Sequence, residues 1–204
     1  MSAEIKKLKE DDWKIWRDLR LEAVSKWPHF MQTTLDEEKS KSETDYRSLL
    51  KNSDALAALR EDESVGIIGF NKLKHVMNEH RGVIFSLYLK RVAYGSGLSD
   101  ELLEAALDVA KTKTVRVECM ILKRNAPSVN LALRHGFEIC AQLPKTVLFN
   151  NRFYDEYVLF KDFDRGIAPA MQHKFRIGPE QPRRIGAQRE VFAHALRRIA
   201  LHKI

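Results

Sequence analysis

Residues 84–103 read IFSLYLKRVAYGSGLSDELL. An apolar run from Ile84 to Leu89 has the composition of a strand. It gives way to a turn holding Gly95 and Gly97, and the turn opens into a stretch with Leu98, Leu102 and Leu103 at helical spacing. A strand, a glycine turn and a helix in that order leave backbone N–H groups free at a helix N-terminus. Those donors and the helix dipole favour a phosphate or pyrophosphate there. Gly95 and Gly97 let the backbone turn tightly and let a ligand come close. Ser96 and Ser99 add hydroxyl donors. The segment predicts a phosphate-bearing cofactor on an α/β frame.

Working outward, the pattern predicts strands over 4–8, 55–60, 64–73, 82–89, 114–121, 137–142 and 152–160. Helices are expected over 13–23, with Trp13, Trp16 and Leu19 as core anchors, and over 36–50, 98–111 and 125–135. Asp11 or Asp12 is placed to cap the first, and Gly136 to end the last. The three strands 55–89 follow one another through short polar turns, so they form an antiparallel meander. The expected architecture is a mixed α/β sheet, mainly antiparallel, flanked by helices on both faces and not doubly wound.

The chain has 204 residues, 44% of them hydrophobic, enough for one domain with a real core. Its formal charge of +7 is uneven. Residues 164–204 hold nine Lys/Arg and three acids, which leaves 26 Lys/Arg and 25 acids for residues 1–163. The basic character therefore belongs to a Gly/Pro-containing extension over 164–204, which ends in an amphipathic pattern through Val191, Phe192, Leu196 and Ile199. A domain over 1–163 and this extension are the expected division. No apolar run has membrane-spanning length, and no apolar targeting segment follows the N-terminus. A cytoplasmic protein with no membrane partner is expected. Cys119 and Cys140 read as two buried thiols, and none of the seven histidines shares metal-ligand spacing with another ligand, so no metal is expected.

Three motifs resemble the GCN5-related N-acetyltransferases over residues 4–163. The first is the turn Tyr94 to Ser99, similar to the family's Arg/Gln-x-x-Gly-x-Gly/Ala turn, with Tyr94 in place of Arg/Gln and Ser99 in place of the last small residue. The second is residues 125–137, NAPSVNLALRHGF, similar to the family helix Asn-x-x-Ala-x-x-Leu-Tyr-x-x-x-Gly-Phe. Asn125, Leu131, Gly136 and Phe137 match, Ser128 replaces Ala, and Ala132 stands where the family often has the Tyr that protonates CoA thiolate. The third is residues 150–157, NNRFYDEY, similar to the late strand Gly-x-Tyr-x-Asp-Glu.

The resemblance implies an acyl-CoA N-acyltransferase fold and an enzyme that moves an acetyl group from acetyl-CoA to a primary amine of a small molecule or protein. Attack would be direct, in a ternary complex. It implies cofactor contacts at Leu87, Leu89, Tyr94, Gly95, Ser96, Gly97, Leu98, Ser99, Asn125 and Ser128. Backbone N–H groups at Leu87 and Leu89 would polarise the thioester carbonyl, and Lys90 or Arg91 would supply charge that Tyr94 lacks. Base candidates are Glu118 and Asp155, with Glu156 beside them; acid candidates are the phenols of Tyr88 and Tyr154. Two other readings stay open at this stage: a CoA-binding sensor or scaffold with impaired chemistry, and association with nucleic acid or ribosomes through the basic tail. A homodimer is also left open.

Overall fold

Strict alternation sets the two sides of the sheet. Ala55, Ala57 and Ile67 face one side, while Leu56, Ala58, Ile68 and Phe70 face the other. The computed structural model describes residues 3–163, and the extension expected over 164–204 lies outside the described residues. A compact unit spans Met1–Asp164. The strands are β1 (Glu4–Lys7), β2 (Asp54–Arg60), β3 (Glu63–Lys72), β4 (Arg81–Leu89), β5 (Arg116–Leu122), β6 (Glu138–Phe149) and β7 (Arg152–Asp162). The helices are α1 (Trp13–Lys26), α2 (Pro28–Met31), α3 (Leu35–Lys39), α4 (Glu43–Asn52), α5 (Leu98–Lys113) and α6 (Ala126–Arg134).

The seven strands run in the order β1-β2-β3-β4-β5-β7-β6. Every neighbouring pair is antiparallel except β4 and β5. The apolar stripe of α5 (Leu98, Leu102, Leu103, Ala106, Ala110) and Leu131 and Ala132 of α6 cover one face. Trp13, Trp16, Leu19 and Ala23 of α1 and Tyr46 and Leu50 of α4 cover the other. The mixed, mainly antiparallel sheet expected from the sequence is the one observed.

Three local expectations need correction. The helix expected over 36–50 is two helices, because Ser42 restarts it: its hydroxyl accepts from the Asp45 N–H at 3.2 Å while the Asp45 carboxylate accepts from the Ser42 N–H at 2.7 Å. The strand expected to end at Gln142 continues to Phe149. It runs through Pro144, because β6 is an edge strand with an irregularity between Leu143 and Val147, where a missing N–H costs little. That edge position also exposes Cys140, so only Cys119 is a buried thiol.

Under α1 lies a buried polar group that the sequence did not announce. Glu38 is 1% exposed and faces the Arg20 guanidinium at 3.4 Å. It also accepts from the Tyr46 hydroxyl at 3.0 Å and from Lys41 at 3.2 Å. Its charge is thus matched and hydrogen-bonded, as burial requires.

Candidate active site

The parallel contact between β4 and β5 lasts only three pairs and ends at Val83 opposite Glu118. Ser86 has a φ of 56°, a left-handed conformation uncommon for serine, and the β3–β4 register shifts between Ile67 and Gly69. This bulge turns β4 away from β5. The edge of β4 beyond Val83 therefore has no ladder partner on the β5 side. Leu87 and Leu89 lie in the splayed stretch, with side chains packed toward α5.

The splay leads into the glycine turn. Gly95 and Gly97 have φ values of 73° and 83°, and Gly97 is the N-cap of α5. Among the described residues, the N–H groups of 95–99 make no backbone hydrogen bond. A Cβ on either glycine would meet nothing within 4 Å. The turn is thus an open nest of donors with room for an anion above it. Tyr94 is exposed beside it. The Ser96 hydroxyl donates to the Ala93 carbonyl at 2.8 Å and the Ser99 hydroxyl to Asp100 at 3.3 Å, so these side chains shape the turn. Asp100 does not repel a ligand unopposed. Arg134 grips it at 2.7 and 2.8 Å and His135 at 2.8 Å, and chiefly through Arg134 its carboxyl is held far below the usual range. Lys90 is paired with Glu63 at 2.7 Å, whereas Arg91 makes no ion pair among the described residues.

The structure separates the base and acid candidates. Glu118 is held by Arg81 through two bonds, at 2.7 and 2.6 Å, on the last paired rung of β4–β5. Asp155 accepts from the Lys145 N–H at 3.0 Å and the Gln142 amide at 3.1 Å, so it braces the β6 irregularity. Tyr88 is buried against α1, where its hydroxyl donates to Glu22 at 2.9 Å. Burial first, then Glu22, push its phenol up to about 12. Burial alone raises Glu22, but hydrogen bonds from Lys26 and Tyr88 outweigh it and leave its carboxyl below the usual range. Asn125 caps α6, accepting from the Ser128 N–H at 3.3 Å, and Ala132 is buried in the core.

Tyr154 is placed differently. It lies on β7 near its turn with β6, and its ring stacks on His29 of α2 at 5.6 Å between centroids. His29 also contacts Phe149 at 5.5 Å and Phe30 at 4.1 Å. Its Nδ1 is buried with no hydrogen-bond partner among the described residues. Burial, then the charge of Arg124, hold its imidazole below the ordinary histidine value. Two residues along β7, the buried Glu156 accepts a hydrogen bond from Gln32 at the end of α2, tying that helix to the sheet. Tyr154 also lines a cavity of about 730 Å³, whose other walls are Lys123, Arg124, Arg152, Phe153 and Asp155.

Residues 9–137 match the family model described as Acetyltransferase (GNAT) family. The chain belongs to this family. Solved GNAT-family structures share its fold. The acetyltransferase of the GNAT family from Streptococcus pneumoniae is 21% identical, with a TM-score of 0.72 over 79% of this chain and all of its own. The yncA protein of Salmonella typhimurium, solved with its cofactor acetyl-CoA, is 17% identical, with a TM-score of 0.71 over 84% of this chain and 99% of its own. A GNAT superfamily phosphinothricin acetyltransferase from Sinorhizobium meliloti, in complex with acetyl-CoA, is 17% identical, with a TM-score of 0.67 over 79% of this chain and 89% of its own. No curated protein sequence matches this chain. Among the described residues of this GNAT-family member, no helix is long and apolar enough to cross a membrane.

His29, Arg124 and the Glu156–Gln32 contact are the features sequence reasoning passed over. No spacing in the sequence sets His29 against Tyr154, 125 residues away.

Proposed function

We propose that the protein transfers an acetyl group from acetyl-CoA to a primary amine by direct attack in a ternary complex. The observation that carries this reading is the continuity of the β4–β5 splay with the open N–H nest at residues 95–99. Acetyl-CoA supplies an activated acetyl thioester. The nest holds its pyrophosphate, with Arg91 adding charge where the family turn has its own basic residue. The unpaired edge of β4 near Leu87 and Leu89 offers backbone donors to a carbonyl without the reorganisation water would need.

The acceptor amine must lose a proton as its nitrogen bonds to the acetyl carbon, and the sulfur must gain one as the C–S bond breaks. We assign the first task to His29. Its depressed pKa keeps the imidazole neutral near pH 7, so it is in the accepting form. We assign the second to Tyr154, stacked on it and free of the carboxylate that fixes Tyr88. Tyr154 then does the work that Ala132 cannot. Glu156 is a positioning residue, holding α2 and hence His29 through Gln32.

Initial rates at varied acetyl-CoA and varied amine test the mechanism. Direct attack predicts intersecting double-reciprocal lines. Parallel lines, the signature of an acetylated enzyme, overturn it.

A further inference from the structure

Arg124 and Arg152 come from different parts of the chain, one just past β5 and the other at the start of β7, yet they line the same cavity beside Tyr154. Both are exposed, and neither makes an ion pair or hydrogen bond to an acid among the described residues. This differs from Arg47, Arg81, Arg116 and Arg134, each fixed on a carboxylate. The third cation on the wall, Lys123, donates to Gln142 at 3.2 Å and lies 5.8 Å from the Tyr157 ring centre. The acid on the wall, Asp155, is already occupied by Gln142 and Lys145. Arg124 is also close enough to His29 to depress its pKa. A positive charge so near the proposed base discourages a cationic acceptor that brings no charge of its own to offset it.

We propose that the acceptor is a small amine carrying an anionic group, a carboxylate or a phosphoryl group, and that Arg124 and Arg152 bind that group while the amine faces His29. The proposal rests on the acetyltransfer reading above and adds the chemistry of the acceptor. A guanidinium fork matches both anions, and one anion engaged by two arginines orients the amine as well as attracting it. Arg124 thereby has two effects: it adds to burial in lowering the His29 pKa, and it turns the acceptor's anion away from the base.

The test uses the full chain and matched probes: the common amino acids, their carboxamides and the corresponding aminoalkylphosphonates, each with acetyl-CoA. The proposal predicts acids preferred over their amides by at least about tenfold in kcat/KM. The phosphonates separate the two anion types, since the better series names the native one. Arg124→Gln and Arg152→Gln each raise KM for the best acid by about 10- to 100-fold and raise KM for the amide far less, so the acid-over-amide preference collapses in both. Acetyl-CoA affinity, read separately by calorimetry, stays that of the parent. If acetyl-CoA itself does not bind, the acetyltransfer reading fails. If it binds and amides or polyamines turn over as well as acids, only this proposal fails. If the arginine variants weaken acetyl-CoA binding instead of acceptor KM, the arginines belong to the cofactor and the proposal is wrong. With CoA present, N-acetylated acids should bind more tightly than their amides. Equal or absent binding of both, together with no acid preference in turnover, also overturns it.

Discussion

Replacing Gly97 separates what the glycine does for the fold from what it does for the ligand. Its φ of 83° puts a side chain in left-handed backbone, but a Cβ there meets no atom within 4 Å. The folded protein thus bears only the backbone cost, about 1–2 kcal/mol for an ordinary L-residue. In a body of about 160 residues that lowers Tm by about 2–8 °C. The ligand bears much more. A side chain at 97 occupies the space above the nest, and losing two charge-assisted hydrogen bonds to phosphate forfeits about 3–6 kcal/mol, or roughly a hundred- to ten-thousandfold in Kd. Gly97→Val should show both effects. Gly97→Asn should show mainly the second, because asparagine tolerates left-handed backbone. Scanning calorimetry reads the fold and titration calorimetry with acetyl-CoA reads the ligand. A Gly97→Asn protein that melts like the parent and binds acetyl-CoA within about threefold of it would refute the placement of the pyrophosphate.

Other expectations follow from the same geometry. Tyr154→Phe should lower kcat roughly a hundredfold with little change in acetyl-CoA affinity, and Tyr88→Phe should leave kcat near the parent value while costing about 1 kcal/mol of stability; equal kcat for both variants would remove Tyr154 as the acid. The folded pKa of His29 lies below its unfolded value of 6.5, so the unfolded state binds more protons in that window. The stability tied to neutral His29 is therefore full above that value and lost as pH falls through the folded pKa, so the parent should lose more Tm than His29→Gln on acidification, and parallel Tm–pH curves would contradict the assignment. Glu38→Gln should cost about 3 kcal/mol in denaturant unfolding, because it leaves Arg20 buried without its countercharge. A chain ended at Phe163 should fold and bind acetyl-CoA, since the charge and Gly/Pro content change at residue 164; insoluble protein or a non-cooperative melt would move that boundary.

The sequence was legible where local chemistry sets the outcome. The alternation through Ala55–Ala58 and Ile67–Phe70, the leucine stripe of α5 and the turn glycines each specify backbone shape from neighbouring residues alone, and the sheet followed from them. The open turn was readable because a nest of free backbone N–H groups needs only a turn and a helix start. The surroundings of the candidate acid and base groups were not readable. Glu118 looked available, but Arg81 lies 37 residues away and is brought opposite it by the single parallel contact in the sheet. Tyr88 and Tyr154 looked equivalent, yet Glu22 fixes one and His29 stacks on the other. Pairings over 37 to 125 residues depend on register and bulges. The left-handed Ser86 that opens the cleft carries no glycine to announce it.

The most direct test of acetyltransfer is release of free CoA thiol from acetyl-CoA, with and without an added amine, alongside mass analysis of the amine. The account predicts thiol release that depends on the amine and matches, mole for mole, the acetylated product, and that falls sharply in Tyr154→Phe. Tight acetyl-CoA binding with thiol release no faster with amines than without them would contradict it.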